Sequence, residues 1–134
     1  MNGAAVKVYS KAMDGEKKIS TNFRVREFAC EDGSDPIFIS EKLVKILQSI
    51  RNHFGQPVTL TSGFRTASHN AKVKDASEHS QHLYGLAADI KVEGVSPADV
   101  ADYAEKLLPN TGGVGRYKGF THVDVRTAKS RWNG

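Results

Sequence analysis

The sequence predicts a single α+β domain in which two helices pack on a small antiparallel β-sheet. Two segments repeat apolar residues at helical spacing behind good N-caps, and several short segments alternate apolar and polar residues as half-buried strands do. The 134 residues are the size of one ordinary domain. They contain no repeats, low-complexity tracts or linkers, so we assign residues 1–134 to one domain.

The two helices follow from their caps and their periodicity. Ser40 is a good N-cap, and the helix that it begins ends before Gly55. Ser96 caps the second helix, Pro97 takes its first position, and it runs to Leu108. The residues expected to face the core from the two helices are Leu43, Val44, Leu47, Ile50, Val100, Ala104, Leu107 and Leu108.

The strands are predicted from alternation. Residues 58–62 alternate apolar and hydroxyl side chains, and residues 86–92 place Asp89 on the face opposite to an apolar row. Residues 114–117 and 120–125 are expected to form a hairpin. Residues 1–21 are weakly patterned and carry no assigned element, while residues 22–28 are expected to be extended.

Composition limits the classes of function. Cys30 is the only cysteine, which excludes an internal disulfide and a cysteine-rich metal site. No apolar run reaches about 18 residues, so no membrane span is expected, and the N-terminus has no secretory signal pattern. The net charge of +4 suits an anionic partner. The basic residues are scattered without an aromatic-interleaved stripe, so we expect no nucleic acid partner.

Histidines and carboxylates are concentrated in residues 82–89 and 122–124. In the absence of thiolates, zinc prefers imidazole and carboxylate ligands, and a catalytic site uses three of them plus water. His82, Asp89 and His122 would supply such a set, with His82 on a loop and Asp89 on the strand that follows.

Asp124 is expected on the same strand face as His122, about 7 Å along the chain. At that distance its carboxylate is close enough either to act on a water at the metal or to orient a zinc-bound histidine.

Residues 80–89, Ser-Gln-His-Leu-Tyr-Gly-Leu-Ala-Ala-Asp, match the Ser-x-His-x-x-Gly-x-Ala-x-Asp signature of the zinc D-Ala-D-Ala carboxypeptidases and their endopeptidase relatives. Residues 62–66, Ser-Gly-Phe-Arg-Thr, resemble the Ser-Gly-aromatic-Arg segment of that family. Residues 113–117 and 120–124 resemble its last strands, and the resemblance extends from about Phe23 to Trp132. It implies a hedgehog/DD-peptidase-like fold, a small antiparallel sheet flanked by helices.

The resemblance also implies roles for individual residues. His82, Asp89 and His122 would be the ligands of Zn²⁺. Arg65 would stabilise the carbonyl oxygen or bind the substrate carboxylate, unless it is a structural arginine of its loop.

Several relatives have an acidic residue three positions before the final histidine, where this sequence has Gly119. Asp124 is then the best-placed general base, and an orienting role for it is equally open. Glu78 and Glu93 are within sequence reach but carry no specific signal. Ser80 is expected to hydrogen-bond in the His82 loop and to contact substrate, or else to be only a turn residue. Tyr84 would flank the substrate or simply pack, and His79 is more typical of a solvated loop residue.

The expected activity is therefore hydrolysis of peptide bonds in peptidoglycan stem peptides, as a carboxypeptidase or an endopeptidase. The short chain resembles compact phage or prophage lysis enzymes, which act at the cell wall and leave the cytoplasm with a lysis partner. We expect a monomer. The alternative is a zinc-containing wall-binding module without catalysis, and a nucleic-acid-binding domain ranks third.

Overall fold

A five-stranded sheet packed on two long helices forms the centre of the fold in the computed structural model, which describes residues 5–73 and 80–134. The strands are β1 (Val6–Ser10), β2 (Lys18–Ser20), β3 (Phe23–Arg24), β4 (Pro36–Ser40), β5 (Val58–Ser62), β6 (Ala87–Val92), β7 (Gly113–Arg116), β8 (Thr121–Asp124) and β9 (Ser130–Asn133). The helices are α1 (Lys11–Asp14), α2 (Glu41–Phe54), α3 (Ala67–Asn70) and α4 (Pro97–Leu107), with 3₁₀ turns at Val25–Phe28 and Gln81–Tyr84.

The central sheet has the strand order β5-β6-β8-β7-β9. The first three pairings are antiparallel, as predicted, and β7 and β8 form the predicted hairpin. The last pairing differs, because β9 runs parallel to β7. The α+β fold class is confirmed, and β9 adds a strand that its short, polar sequence does not indicate.

Helices α2 and α4 begin at the predicted caps. The Ser40 hydroxyl accepts a hydrogen bond from the Leu43 amide at 3.3 Å, and the Ser96 hydroxyl accepts one from the Asp99 amide at 3.1 Å. The two helices pack against each other and against the core face of the sheet. Of the predicted core residues in these helices, only Leu107 is half-buried rather than buried.

The N-terminal residues form a strand that the sequence pattern does not reveal. β1 pairs with β4 in an antiparallel ladder in which Lys7 lies opposite Ile39 and Tyr9 opposite Ile37. Most side chains of β1 are exposed, so its hydrophobic alternation is weak, and the strand exists because β4 offers it a partner. Residues 25–28 also differ from the extended prediction, because they form a 3₁₀ turn.

The second 3₁₀ turn passes very close to β4. Gly85 ends it at a φ of 73°, and a Cβ atom there would lie 2.3 Å from the carbonyl oxygen of Phe38. The Gly85 carbonyl in turn accepts a hydrogen bond from the Ser40 amide at 2.9 Å. Only glycine satisfies both constraints, and this contact fixes where β6 begins.

Helices long and apolar enough to cross a membrane are absent from residues 5–73 and 80–134.

Truncation of Leu47 tests the packing of α2. Its side chain is fully buried, so we expect Leu47→Ala to lower the free energy of unfolding by about 2–5 kcal/mol. Lys45 lies on the exposed side of the same helix, and Lys45→Ala should change the free energy of unfolding by no more than about 0.5 kcal/mol. Urea unfolding measures both, and equal effects would contradict the packing described above.

Candidate metal centre

Three residues predicted as metal ligands meet where β6 pairs with β8 in the central sheet. His82 lies in the second 3₁₀ turn, Asp89 on β6 and His122 on β8, where the register places Asp89 directly opposite His122. One ligand atom from each lies within 4.8 Å of the other two, and all three residues are buried. This is a compact donor set of two imidazoles and one carboxylate.

The ring orientation of His82 is set by the backbone. Its Nδ1 lies 2.8 Å from the carbonyl oxygen of Gly63, at the end of β5. A carbonyl oxygen can only accept, so Nδ1 carries the proton and Nε2 presents a lone pair. That Nε2 lies 3.4 Å from Oδ1 of Asp89.

His122 is held from its other side by a carboxylate. Its Nε2 lies 2.7 Å from Oδ2 of Asp124, and its Nδ1 lies 2.9 Å from Oδ1 of Asp89. Since the ionised Asp124 carboxylate accepts, Nε2 carries the proton and a neutral imidazole turns the lone pair of Nδ1 toward Asp89.

With both rings neutral, three lone pairs turn toward one another, and a positive charge between them, either protons or a metal ion, makes this arrangement favourable. When that charge is a proton on each ring, burial acts to raise the pKa of Asp89, but hydrogen bonds from the protonated His122 and His82 outweigh it and hold that pKa well below its usual range. Burial acts to lower the pKa of His122, yet hydrogen bonds with Asp124 and Asp89 raise it above the ordinary value. Imidazole and carboxylate donors without thiolate match the chemistry of a catalytic zinc site.

Asp124 is enclosed behind His122 and has no exposed surface. Besides His122, its carboxylate accepts hydrogen bonds from the Gly113 amide at 2.9 Å and from Nε and Nη2 of Arg126 at 2.9 and 2.6 Å. Burial acts to raise the pKa of Asp124, but the bonds from His122 and Arg126 keep it well below the usual range. Of the two roles left open by the sequence, this geometry favours the one in which Asp124 orients His122.

Two glycines on β7 leave the room that this arrangement requires. Gly113 lies opposite Asp124, and a Cβ atom there would come within 2.3 Å of Oδ2 of that carboxylate. Gly115 lies opposite His122, and its Cβ would meet the Trp132 indole at 2.6 Å. The indole instead packs with its ring centre 5.0 Å from that of His122. Trp132 of β9 thus borders the centre.

Arg65 lies against the outer side of Asp89. Its Nη2 is 3.5 Å from Oδ2 of Asp89, while Nε donates to the Ser62 hydroxyl at 3.1 Å and Nη1 to Oδ1 of Asn70 at 3.2 Å. The guanidinium is therefore positioned beside the three converging ligands and anchored by its own loop.

Of the other residues singled out from the sequence, the described part of the chain contains Ser80, Tyr84 and Glu93. The Ser80 hydroxyl accepts from the His82 amide at 3.2 Å, so it caps the turn that carries a ligand, while the Tyr84 side chain is exposed. Glu93 is exposed and lies in the turn that follows β6, four residues beyond Asp89. Glu78 and His79 lie outside the described residues. Within the described ranges, only Asp89 and Asp124 bring a carboxylate into contact with the two histidines.

The family model that matches this chain is Peptidase M15, and it covers residues 18–124, which contain the three converging residues. The chain belongs to the peptidase M15 family. This membership confirms the family resemblance carried by residues 62–66, 80–89 and 113–124.

Among curated relatives, this M15 chain is similar to a peptidoglycan L,D-endopeptidase, MepK, of Escherichia coli K12, with 32% identity over 80 residues. It is also similar to a probable peptidoglycan L,D-endopeptidase MepK of Haemophilus influenzae, with 34% identity over 83 residues. These alignments cover 55% and 58% of this chain and 43% of each relative, so the match spans less than half of the relatives' length. No solved structure matches the chain significantly.

Gly113 provides a test of the support behind His122. Gly113→Ala should force the Asp124 carboxylate, which is anchored by its hydrogen bonds, to move, and we expect a loss of about 1–3 kcal/mol of stability. Gly119→Ala is the matched control, because no atom lies within 4 Å of a Cβ built there. Thermal unfolding compares the two, and an unchanged midpoint for Gly113→Ala would contradict this account.

Proposed function

We propose that the protein is a zinc-dependent peptidase that hydrolyses peptide bonds in the stem peptides of bacterial peptidoglycan. The observation that carries the proposal is the convergence of ligand atoms from His82, Asp89 and His122, which lie within 4.8 Å of one another. Membership of a peptidase family supports the reaction class, and the names of the two MepK relatives support the substrate.

In this proposal the donor set holds the metal with two neutral imidazoles and one carboxylate. A zinc ion, if bound there, would supply Lewis-acid chemistry, which polarises a carbonyl oxygen and lowers the pKa of water to about 7. The Gly63 carbonyl and the Asp124 carboxylate keep the two rings in the tautomers that ligation requires.

Asp124 acts here as a positioning residue for His122 rather than as the general base. Its carboxylate is enclosed and fully engaged, so it has no free path to a substrate. Arg126 supports it by holding both carboxylate oxygens, which prevents the carboxylate from rotating away from His122.

Arg65 is proposed to bind a carbonyl oxygen or carboxylate of the substrate beside the metal. A guanidinium already held by Ser62 and Asn70 loses little freedom when it does so. The exposed Tyr84 is proposed to flank the bound peptide, and substrate contact by Ser80 stays a prediction. We further propose that the protein works at the cell wall, as a monomer.

The names of the relatives favour an endopeptidase over a carboxypeptidase. Product masses from a digest of purified muropeptides would separate the two, because a carboxypeptidase releases one terminal alanine and an endopeptidase releases a larger fragment.

Removal of His122 tests the peptidase proposal. The purified protein should bind one equivalent of zinc and release muropeptide fragments that a chelator abolishes. His122→Ala should lose most zinc binding and at least about 10³-fold in kcat/KM, since the metal supplies the main electrostatic stabilisation.

His53→Ala is the control, because His53 stacks on Tyr103 away from the centre and should retain both properties. A zinc-loaded His122→Ala that still cleaves would contradict the proposal. Saturable binding to the wall without any fragments would instead favour a non-catalytic module.

Asp124→Asn separates the two roles of this carboxylate. If Asp124 orients His122, zinc affinity falls by about 10–100-fold, while kcat at saturating zinc stays within a few fold. A general base would show the reverse, with intact zinc affinity and a kcat lower by about 10²–10⁴-fold. Arg126→Ala should shift zinc affinity in the same direction as Asp124→Asn. Zinc titration and steady-state kinetics provide both readouts.

A further inference from the structure

A basic groove lies on the face of β4 that is turned away from the metal centre. Successive side chains of a strand point to opposite faces, and Ile39 lines the groove while Phe38 stacks at 5.1 Å on Phe64. Phe64 directly follows Gly63, whose carbonyl holds His82. The groove has a volume of about 640 Å³ and is formed by β1, β2, β4, α2 and the residue before β2. Its binding chemistry is therefore separate from that of the metal centre.

Lysines dominate the rim of this basic groove. Lys7, Lys17, Lys18 and Lys45 line it, and Glu41 is its single carboxylate. Lys7 pairs with Glu41 at 3.0 Å, and Lys17 lies 5.8 Å above the Tyr9 ring. Across the described ranges, Lys17, Lys18 and Lys45 form no ion pair. Three ammonium groups therefore surround one concave surface without a compensating anion, which favours an anionic occupant.

The floor of the basic groove is apolar and firmly held. Tyr9, Ile19, Ile39 and Val44 provide it. At one edge, the Gln48 side chain accepts hydrogen bonds from the Ser20 hydroxyl at 2.8 Å and the Asn22 amide at 3.0 Å. An occupant that matches both floor and rim carries carboxylates together with small apolar groups.

An acidic peptide matches this combination better than nucleic acid does. Single-stranded nucleic acid needs aromatic faces on which its bases stack. The groove contains one aromatic ring, that of Tyr9, and the Lys17 ammonium lies over it. Peptidoglycan stem peptides, by contrast, combine alanine methyl groups with free carboxylates.

We propose that the basic groove is a second binding site, which holds an acidic stem peptide of the wall polymer that is not being cleaved. The identity of the polymer rests on the proposed function. Because one polymer presents many stem peptides, occupation of the groove would keep the metal centre close to further substrate copies and raise their effective concentration. The groove thus contributes to retention on the polymer and not to the chemistry.

A triple variant, Lys17→Gln/Lys18→Gln/Lys45→Gln, tests the basic groove. The matched control is Lys91→Gln/Lys106→Gln/Lys129→Gln, which removes the same charge from exposed lysines outside the groove and the metal centre. Co-sedimentation with insoluble peptidoglycan at 4 °C, with zinc and again with a chelator, measures binding. Equal thermal midpoints establish that both variants fold.

We expect about tenfold weaker sedimentation for the groove variant and less than twofold for the control, since three exposed ionic contacts each contribute modestly. The kcat/KM for a small soluble muropeptide should stay within twofold in both variants. Peptidoglycan whose carboxylates have been converted to amides should bind the unmodified protein as weakly as untreated peptidoglycan binds the groove variant.

Equal losses of peptidoglycan binding in the two triple variants would overturn the proposal, because binding would then depend only on the overall positive charge and not on the groove. A groove variant that loses more affinity for DNA than for peptidoglycan would overturn it in favour of nucleic acid. If sedimentation depends on the groove lysines but no peptide is cleaved, the groove is a binding site and the peptidase proposal fails. If peptides are cleaved but sedimentation does not depend on the groove lysines, the groove proposal is overturned and the peptidase proposal is retained.

Discussion

The register between β6 and β8 places Asp89 directly across from His122, and the metal centre depends on that pairing. A shift of one residue would turn every side chain of β8 to the opposite face and bury His122 in the core. The valines that alternate with the site residues prevent such a shift, because Val123 is fully buried on the core face. The opposite faces of β8 therefore determine the packing of the core and the placement of the ligand His122.

A row of polar side chains in mutual contact extends from this pairing. Asp89, His122, Asp124 and Arg126 follow one another through polar contacts of 2.6–2.9 Å, and they lie on or beside a largely apolar core. Such a network is favourable only when each member is satisfied. Gly113 helps to satisfy the Asp124 carboxylate, because its backbone amide donates a hydrogen bond and it has no side chain that would collide with the carboxylate. This explains why a glycine lies opposite Asp124.

Strand β4 separates two surfaces of different chemistry. On one side Phe38 packs toward the loop that holds His82, and on the other Ile39 forms part of the basic groove. The candidate metal centre offers converging ligand atoms that favour a cation, whereas the groove offers ammonium groups that form no ion pair with the described residues and favour carboxylates.

The sequence by itself determined the two helices, four strands of the central sheet and the chemical type of the donor set. These depend on local periodicity, on caps such as Ser40 and Ser96, and on the ligand preferences of imidazole and carboxylate. The tertiary structure decided the pairing of β1 and β9, the contacts of Arg65 and the position of Asp124 behind His122. It also assembled the basic groove from lysines that are scattered along the chain. Those features arise from contacts between residues distant in sequence, which no local pattern encodes.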